Sequence, residues 1–414
     1  MTSEIKQRIE QIRRGEVPER YVKTALGLAP TDWKRYTFGD IYTERKEPGD
    51  ENLPLLMVSI HSGVSDGEVD AAELPKQVKR IEDKSQYKKA VSGDLVFNMM
   101  RAWQGAIGTV RTTGMVSPAY IVAEPNDKAY PLFMDYYSRT PQMINQIDRQ
   151  SYGVTDFRKR LYWDSFAPIS CTLPPIEEQQ KIAAILTTQD KVIELKEKQL
   201  AGKQRQKKYL MQQLLTGKKR LPGFYGAWSF PKAKELFQSV SDKDHNGDLA
   251  VLSSTQDRGI VPRDEVDVDI KYDACSLVNY KKVSKGNFVI SLRSFQGGIE
   301  YSTYTGLVSP AYTVLSSRKE ISDGYYKQFF KSTDYINRLN VAVYGIRDGK
   351  QISYEDFGRL RIPNPPIKEQ DAIAEVLSTA DHEIDLLQQD IEQEKQKKKA
   401  LMQLLLTGIV RVKI

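Results

Sequence analysis

Two short stretches carry residue types suited to reading nucleic acid. Arg101, Trp103 and Gln104 stand just ahead of Gly105, and Arg293, Phe295 and Gln296 just ahead of Gly297. A guanidinium can fork onto a guanine edge and a glutamine amide onto an adenine edge, while an aromatic face stacks on a base. The competing reading is internal, with the arginine paired inside the protein and the aromatic in its core. Two basic loops lie further along, YGVTDFRKR (152–160) and YGIRDGK (344–350). In them Tyr152, Arg158, Lys159 and Arg160, and then Tyr344, Arg347 and Lys350, suit phosphate contact, the alternative being a solvated turn. Ser59 and His61 in MVSIHSGV, with Thr255, Gln256 and Arg258 in LSSTQDRGIV, are candidates for base readout.

Bond-making chemistry is not legible. IPNPPI (362–367) has the outline of an amino-methyltransferase motif, but it ends in Ile367 rather than an aromatic, and its counterpart reads CTLPPI. GIRDGKQ (345–351) leaves three residues, not four, between its glycines and has Gln351 in place of Ser or Thr, so it is not a phosphate loop. Glu194 and Lys196 resemble part of a nuclease Glu-x-Lys, but two residues apart on a helix they do not face each other. No serine or cysteine stands at a recognisable spacing from a histidine. No catalytic residue is expected.

Composition narrows the class further. The chain has 414 residues, 40% hydrophobic and 28% charged, with no run of 18 apolar residues, so a membrane span is not expected. The opening MTSEIKQRIEQ lacks an apolar leader core, which points away from secretion. Two cysteines, Cys171 and Cys275, and three histidines are too few and too scattered for a disulfide scaffold or a zinc site. A reducing cytoplasm fits. The net charge of +7 hints at a polyanionic partner. Residues 177–220 hold eleven Lys and Arg against five Asp and Glu, whereas 365–414 hold seven against nine. The first of these two stretches is the better candidate to face phosphate.

What positions these residues is a duplicated chassis. PPIEEQQKIAAIL (174–186) matches PPIKEQDAIAEVL (365–377), and LMQQLLTG (210–217) matches LMQLLLTG (401–408), both at an offset of 191. GMVSPAYIV (114–122) matches GLVSPAYTV (306–314), and MRAWQGAI (100–107) matches LRSFQGGI (292–299), at 192. Trp33 and Trp228 open the two copies. The tips differ more than the chassis, as expected of two related readers with different targets.

Each PP-EQ stretch opens a helix of about 40 residues. Pro175 and Pro366 suit the first turn, acids follow at the positive helix start, and Gly217 and Gly408 suit a left-handed C-terminal cap. A heptad seam runs through each. In the first helix it is Ile182, Leu186, Gln189, Ile193, Lys196, Leu200, Lys203, Lys207, Leu210 and Leu214. In the second it is Ile373, Leu377, Ala380, Ile384, Leu387, Ile391, Glu394, Lys398, Leu401 and Leu405. Such a seam needs a partner, and the other copy in the same register is the obvious one, packed as an antiparallel coiled coil. The charged middle of the seam leaves self-association open.

The expected fold class is α+β, with pseudo-two-fold internal symmetry. An N-terminal helical segment (1–27) precedes a first mixed, strand-rich module (28–173). A central helix (174–220), a second such module (221–364) and a C-terminal helix (365–414) follow. PLFMDYYSRTPQMINQI and GYYKQFFKSTDYINRL each read as one amphipathic helix.

The repeated P-P-[IL]-x-E-Q-x-x-I-A-x-x-L helix start, the LMQ-LLTG ending, the GLVSPAY and W-Q-G turns, and GEVPERY and PTDW near the start resemble a type I restriction–modification specificity subunit over essentially the whole chain. The resemblance implies two target recognition domains separated by two conserved helices packed antiparallel. Each domain would read half of a bipartite double-stranded DNA site, and the helices would fix the spacer. It implies two methyltransferase subunits as partners, using S-adenosylmethionine, and restriction subunits, using ATP and Mg, in systems that cleave. No cofactor or metal is expected on this chain itself. The alternatives are a specificity subunit of a methylation-only system and a coiled-coil scaffold that binds no DNA.

Overall fold

A computed structural model of the protein describes residues 3–24, 27–50, 52–60, 63–65, 86–153, 158–266, 274–342 and 352–412. It contains two compact units, of which the first joins two separate stretches of the chain. One comprises Met1–Leu195 with Ile391–Ile414, the other Lys196–Asp390.

The first unit is built on a four-stranded antiparallel sheet in the order Tyr42–Arg45, Tyr120–Pro125, Leu95–Asn98, Ile107–Thr109. Side chains alternate between its faces. Leu95, Phe97, Ile121 and Ala123 enter one core with Phe38, Phe133 and Phe166. Val96 and Val122 enter a smaller core with Leu56, Val58, Val64, Ala90 and Val116. A strand with a core on each face reads as a continuous apolar run, which is why DLVFNM shows no polar alternation.

The second unit repeats the plan. Its sheet runs Phe237–Val240, Thr313–Ser317, Phe288–Ile290, Glu300–Tyr301. Phe288, Ile290 and Leu315 face the larger core, and Val289 and Val314 the smaller.

The segments expected as one helix per unit are two. In the first unit they are Pro131–Tyr137 and Pro141–Arg149, in the second Asp323–Phe329 and Thr333–Ala342. The break has local causes. The Thr140 hydroxyl accepts from the Met143 amide at 3.4 Å, and Pro141 takes the first turn, where its missing N–H costs nothing. In the second unit the Ser332 hydroxyl accepts from the Tyr335 amide at 3.3 Å.

The long helices are Ile176–Leu214 and Ile367–Leu405, 39 residues each. They start one residue later than the prolines suggested. The Pro175 carbonyl accepts from Gln179 and that of Pro366 from Gln370, so each proline caps rather than opens its helix. The motif glutamines secure the entry. Gln179 donates to the Pro174 and Lys128 carbonyls and accepts from the Tyr130 amide. Gln370 donates to the Pro365 carbonyl and to the Asn364 side chain, and accepts from the Ser322 amide.

Each unit takes the start of one long helix and the end of the other. Ile182, Ala183 and Leu186 share the first core with Leu405 and Leu406, while Ile373 and Leu377 share the second with Leu214 and Leu215. Fully burying a leucine such as Leu186 or Leu377 contributes roughly 2 kcal/mol. Within each unit the two helix portions run antiparallel. In the first, Asp190 meets Lys398 at 2.5 Å and Gln189 donates to Glu394 at 2.7 Å. In the second, Lys196 meets Asp390 at 2.8 Å, Lys203 meets Glu383 at 2.7 Å, and Lys207 pairs with Asp381.

Ile182, Leu186, Ile193, Leu214, Ile373, Leu377, Ile384, Ile391 and Leu405 are buried, and Leu200, Leu210, Leu387 and Leu401 are half-buried. No helix among the described residues is long and apolar enough to cross a membrane.

The repeated LMQ-TG ending now has a physical role. Gly217 and Gly408 both close their helices at φ 71°, the left-handed region that glycine tolerates. A Cβ on Gly408 would lie 2.6 Å from the Pro30 ring and 3.0 Å from Trp33, and one on Gly217 would lie 3.1 Å from Trp228. Each ending is therefore seated against the tryptophan that opens its own unit's copy.

Candidate nucleic-acid interface

In the first unit a tight 3-10 turn, Ala102–Gln104, follows the strand Leu95–Asn98 and closes on Gly105 at φ 105°. The turn exposes Arg101 and Gln104 and leaves Trp103 half-buried. Trp103 packs against the main core and donates to the Met100 carbonyl at 3.0 Å, so the ring is held rather than free to swing. The basic loop is pinned beside it. The backbones of Tyr152 and Arg160 exchange two hydrogen bonds, of 3.1 and 2.9 Å, and the Leu161 amide donates to the Met99 carbonyl at 2.8 Å. Together Ile60, Met100, Arg101, Trp103, Gln104 and residues 158–160 line an open cavity of about 790 Å³.

Charge separates these residues. Lys159 pairs with Asp148 at 2.7 Å and lies 5.6 Å from the Trp103 ring centre, so it is largely satisfied at home. Arg101, Arg158 and Arg160 are exposed and have no side-chain partner among the described residues. Tyr152 is exposed, and its hydroxyl lies 2.5 Å from that of Ser165. Ser59 is half-buried on the short strand Val58–Ser59, next to the lining residue Ile60.

The second unit places the counterparts of this turn alike. Arg293 and Gln296 are exposed around the short helix Ser294–Gly297, and Phe295 packs on the core. The Thr255 hydroxyl is spent on its own turn, donating to the Gly259 carbonyl at 2.9 Å and accepting from the Arg258 amide at 3.2 Å. Arg258 donates to the Glu265 carbonyl at 3.0 Å. Gln256 and Arg258 line a cavity of about 520 Å³ that is mixed in charge, with Lys207, Lys327 and Lys331 but also Asp257, Glu300, Asp381 and Asp385. His61, Tyr344, Arg347 and Lys350 lie outside the described residues.

The cation-rich first long helix offers less to a phosphate than its composition suggested. Lys196, Lys203 and Lys207 each take a carboxylate of the second long helix. A count of charges along one helix does not register acids brought in from another.

The charged corner of each unit was not anticipated at all. Glu178, of the first PP-EQ motif, is fully buried and receives the fork of Arg411 at 2.8 and 2.7 Å. Arg411 also forks onto Asp32 at 2.8 Å and lies 6.0 Å from the Trp33 ring centre. In the second unit Arg220 forks onto buried Glu369 at 2.5 and 2.6 Å and lies 5.3 Å from the ring centre of Trp228, whose indole N–H donates to Glu369 at 2.9 Å. The paired carboxylates raise the affinity of both guanidiniums for their protons, and Arg411 in turn holds Asp32 below the usual carboxylate range. The signal was in the sequence: TGKKR and TGIVR place an arginine three residues past each cap glycine.

The family model described as "Type I restriction modification DNA specificity domain" matches twice, over residues 71–202 and 226–396. A putative type I restriction enzyme MjaX specificity subunit of Methanocaldococcus jannaschii is 25% identical over 436 positions, covering 95% of this chain and 97% of that protein. Among solved structures, the S subunit of a type I restriction–modification system from M. genitalium has a TM-score of 0.53 at 11% identity, covering 90% of this chain and 96% of that one. A chain from a structure concerned with complex assembly and conformational transition of the type I R-M system has a TM-score of 0.55 at 19% identity, covering 92% and 99%. At these identities the structural likenesses establish the fold.

Proposed function

Because the chain belongs to the family of type I restriction–modification specificity subunits, we propose that it is the non-catalytic DNA reader of such a complex. Each module reads one half of a bipartite double-stranded site. The long helices set the spacer between the halves and dock two methyltransferase subunits. Those partners carry the methyl donor, and restriction subunits, where present, carry the ATP and Mg chemistry.

One observation carries the reading of DNA. Arg101, Arg158 and Arg160, all without side-chain partners among the described residues, edge an open cavity with Gln104 and a fixed indole. Exposed guanidiniums on a structured rim bind phosphate and displace counterions, and an amide beside an aromatic supplies the base-edge chemistry.

The test is the salt dependence of duplex binding by the chain assembled with its methyltransferase partner. Arg158→Ala with Arg160→Ala should flatten the slope of log affinity against log salt by about 2. An unchanged slope would remove this rim from the interface.

A further inference from the structure

We propose that the charged layers between the two long helices are a pairing code. They favour the first helix against the second and disfavour like against like, including the same helix offered by a second copy of the chain.

The duplication supplies the comparison. Within the second unit Lys196 meets Asp390 at 2.8 Å and Lys203 meets Glu383 at 2.7 Å. At the offset of 191, Asp390 corresponds to Gln199 and Glu383 to Val192, while Lys196 corresponds to Leu387 and Lys203 to Glu394. If the first helix faced a copy of itself in this register, Lys196 would meet Gln199 and Lys203 would meet Val192. Neither ammonium would find a carboxylate. If the second helix faced its own copy, Asp390 would meet Leu387 and Glu383 would meet Glu394. That arrangement sets one carboxylate on a leucine and two carboxylates on each other. Only the unlike pairing satisfies both layers.

A third layer acts as an internal control. Lys398 with Asp190 and Lys207 with Asp381 are the same pair in the two copies, so this layer is kept in every pairing and cannot discriminate. The discriminating pairs are partly exposed, with side-chain exposures of 24% and 47% for Lys196 and Asp390 and 36% and 49% for Lys203 and Glu383. Such pairs add modest stability. Their effect lies in the difference between the right partner and a wrong one, the means by which flanking charges choose partners in coiled coils.

The test is a charge-swap cycle in the full-length chain. Lys196→Glu with Lys203→Glu, and separately Asp390→Lys with Glu383→Lys, should each lower the melting temperature by roughly 4 to 8 °C. All four substitutions together should return it to within about 2 °C of the parent. Co-expressed with different tags, the two reversed chains should copurify by exchanging helices, and two parent chains should not. If the fourfold variant instead loses the sum of the two losses, the layers do not recognise each other and the proposal fails. If a reversal does not fold, Lys203→Gln and Glu383→Gln run the same cycle, where strictly additive losses would likewise overturn it.

Discussion

Arg411 ties the end of the second long helix to the first unit through two carboxylates of unequal burial. Removing it strands Glu178, fully buried, without its cation. Arg411→Ala should therefore cost about 3 kcal/mol, read as a lower urea midpoint at unchanged slope. Asp32 gives the pH counterpart. Arg411 lowers its folded pKa below the unfolded value of about 3.9, so its contribution is present above that value and is lost as pH falls through the folded one. Asp32→Asn should be less stable than the parent at pH 7, and the gap should close as the pH falls through the lowered folded value. Residue-level substitution between the copies is compensated in space. Arg139, in the turn after the helix Pro131–Tyr137 of the first unit, pairs with Asp135 of that helix at 3.2 Å, and Lys331 in the second pairs with Glu300 of a strand. The strand position matching Glu300 is Gly108, where a Cβ would already stand 3.0 Å from the Asp135 carboxylate. Such a relocated partner is invisible in one dimension. So was the bond from Arg411 to Glu178, which joins residues 233 apart.

At the scale of elements, periodicity was the reliable guide and composition the weak one. The alternation of four and three residues marked both seams because burial along a helix repeats with the helix itself. The division of each shorter amphipathic segment into two helices was missed, although S-R-T-P in the first and the serine ahead of TDYINRL in the second are capping chemistry that could have been weighed above the apolar pattern. The seam also sets how the helices can be altered. Deleting seven residues from the middle of both long helices keeps the heptad phase, whereas deleting four from one alone shifts its charged layers off their partners. If the helices set the spacer, the matched deletion should shorten the gap in the methylated motif and leave both half-sites unchanged. A changed half-site with an unchanged gap would refute that role.

At the scale of the molecule, duplication was the strongest statement in the sequence. Two copies of one chassis, matched in order at offsets of 191 and 192, are hard to produce by chance. What the sequence did not show is that the compact units cut across the copies, each taking parts of both long helices. That follows from antiparallel pairing, which brings the end of one helix beside the start of the other. The cavities described in the two units lie at different places in the repeat. The first, at the Arg101–Gln104 turn and residues 158–160, is rimmed by cations, while the second, beside Gln256 and Arg258, is balanced in charge. The measurement that bears most directly on this account is the pattern of methyladenine on resident DNA when the chain is co-expressed with its methyltransferase partner. The account predicts a bipartite motif with a fixed gap that disappears without this chain, and loses one half alone when Arg101 and Gln104 are both changed to alanine. Methylation unaltered by removing the chain would contradict it.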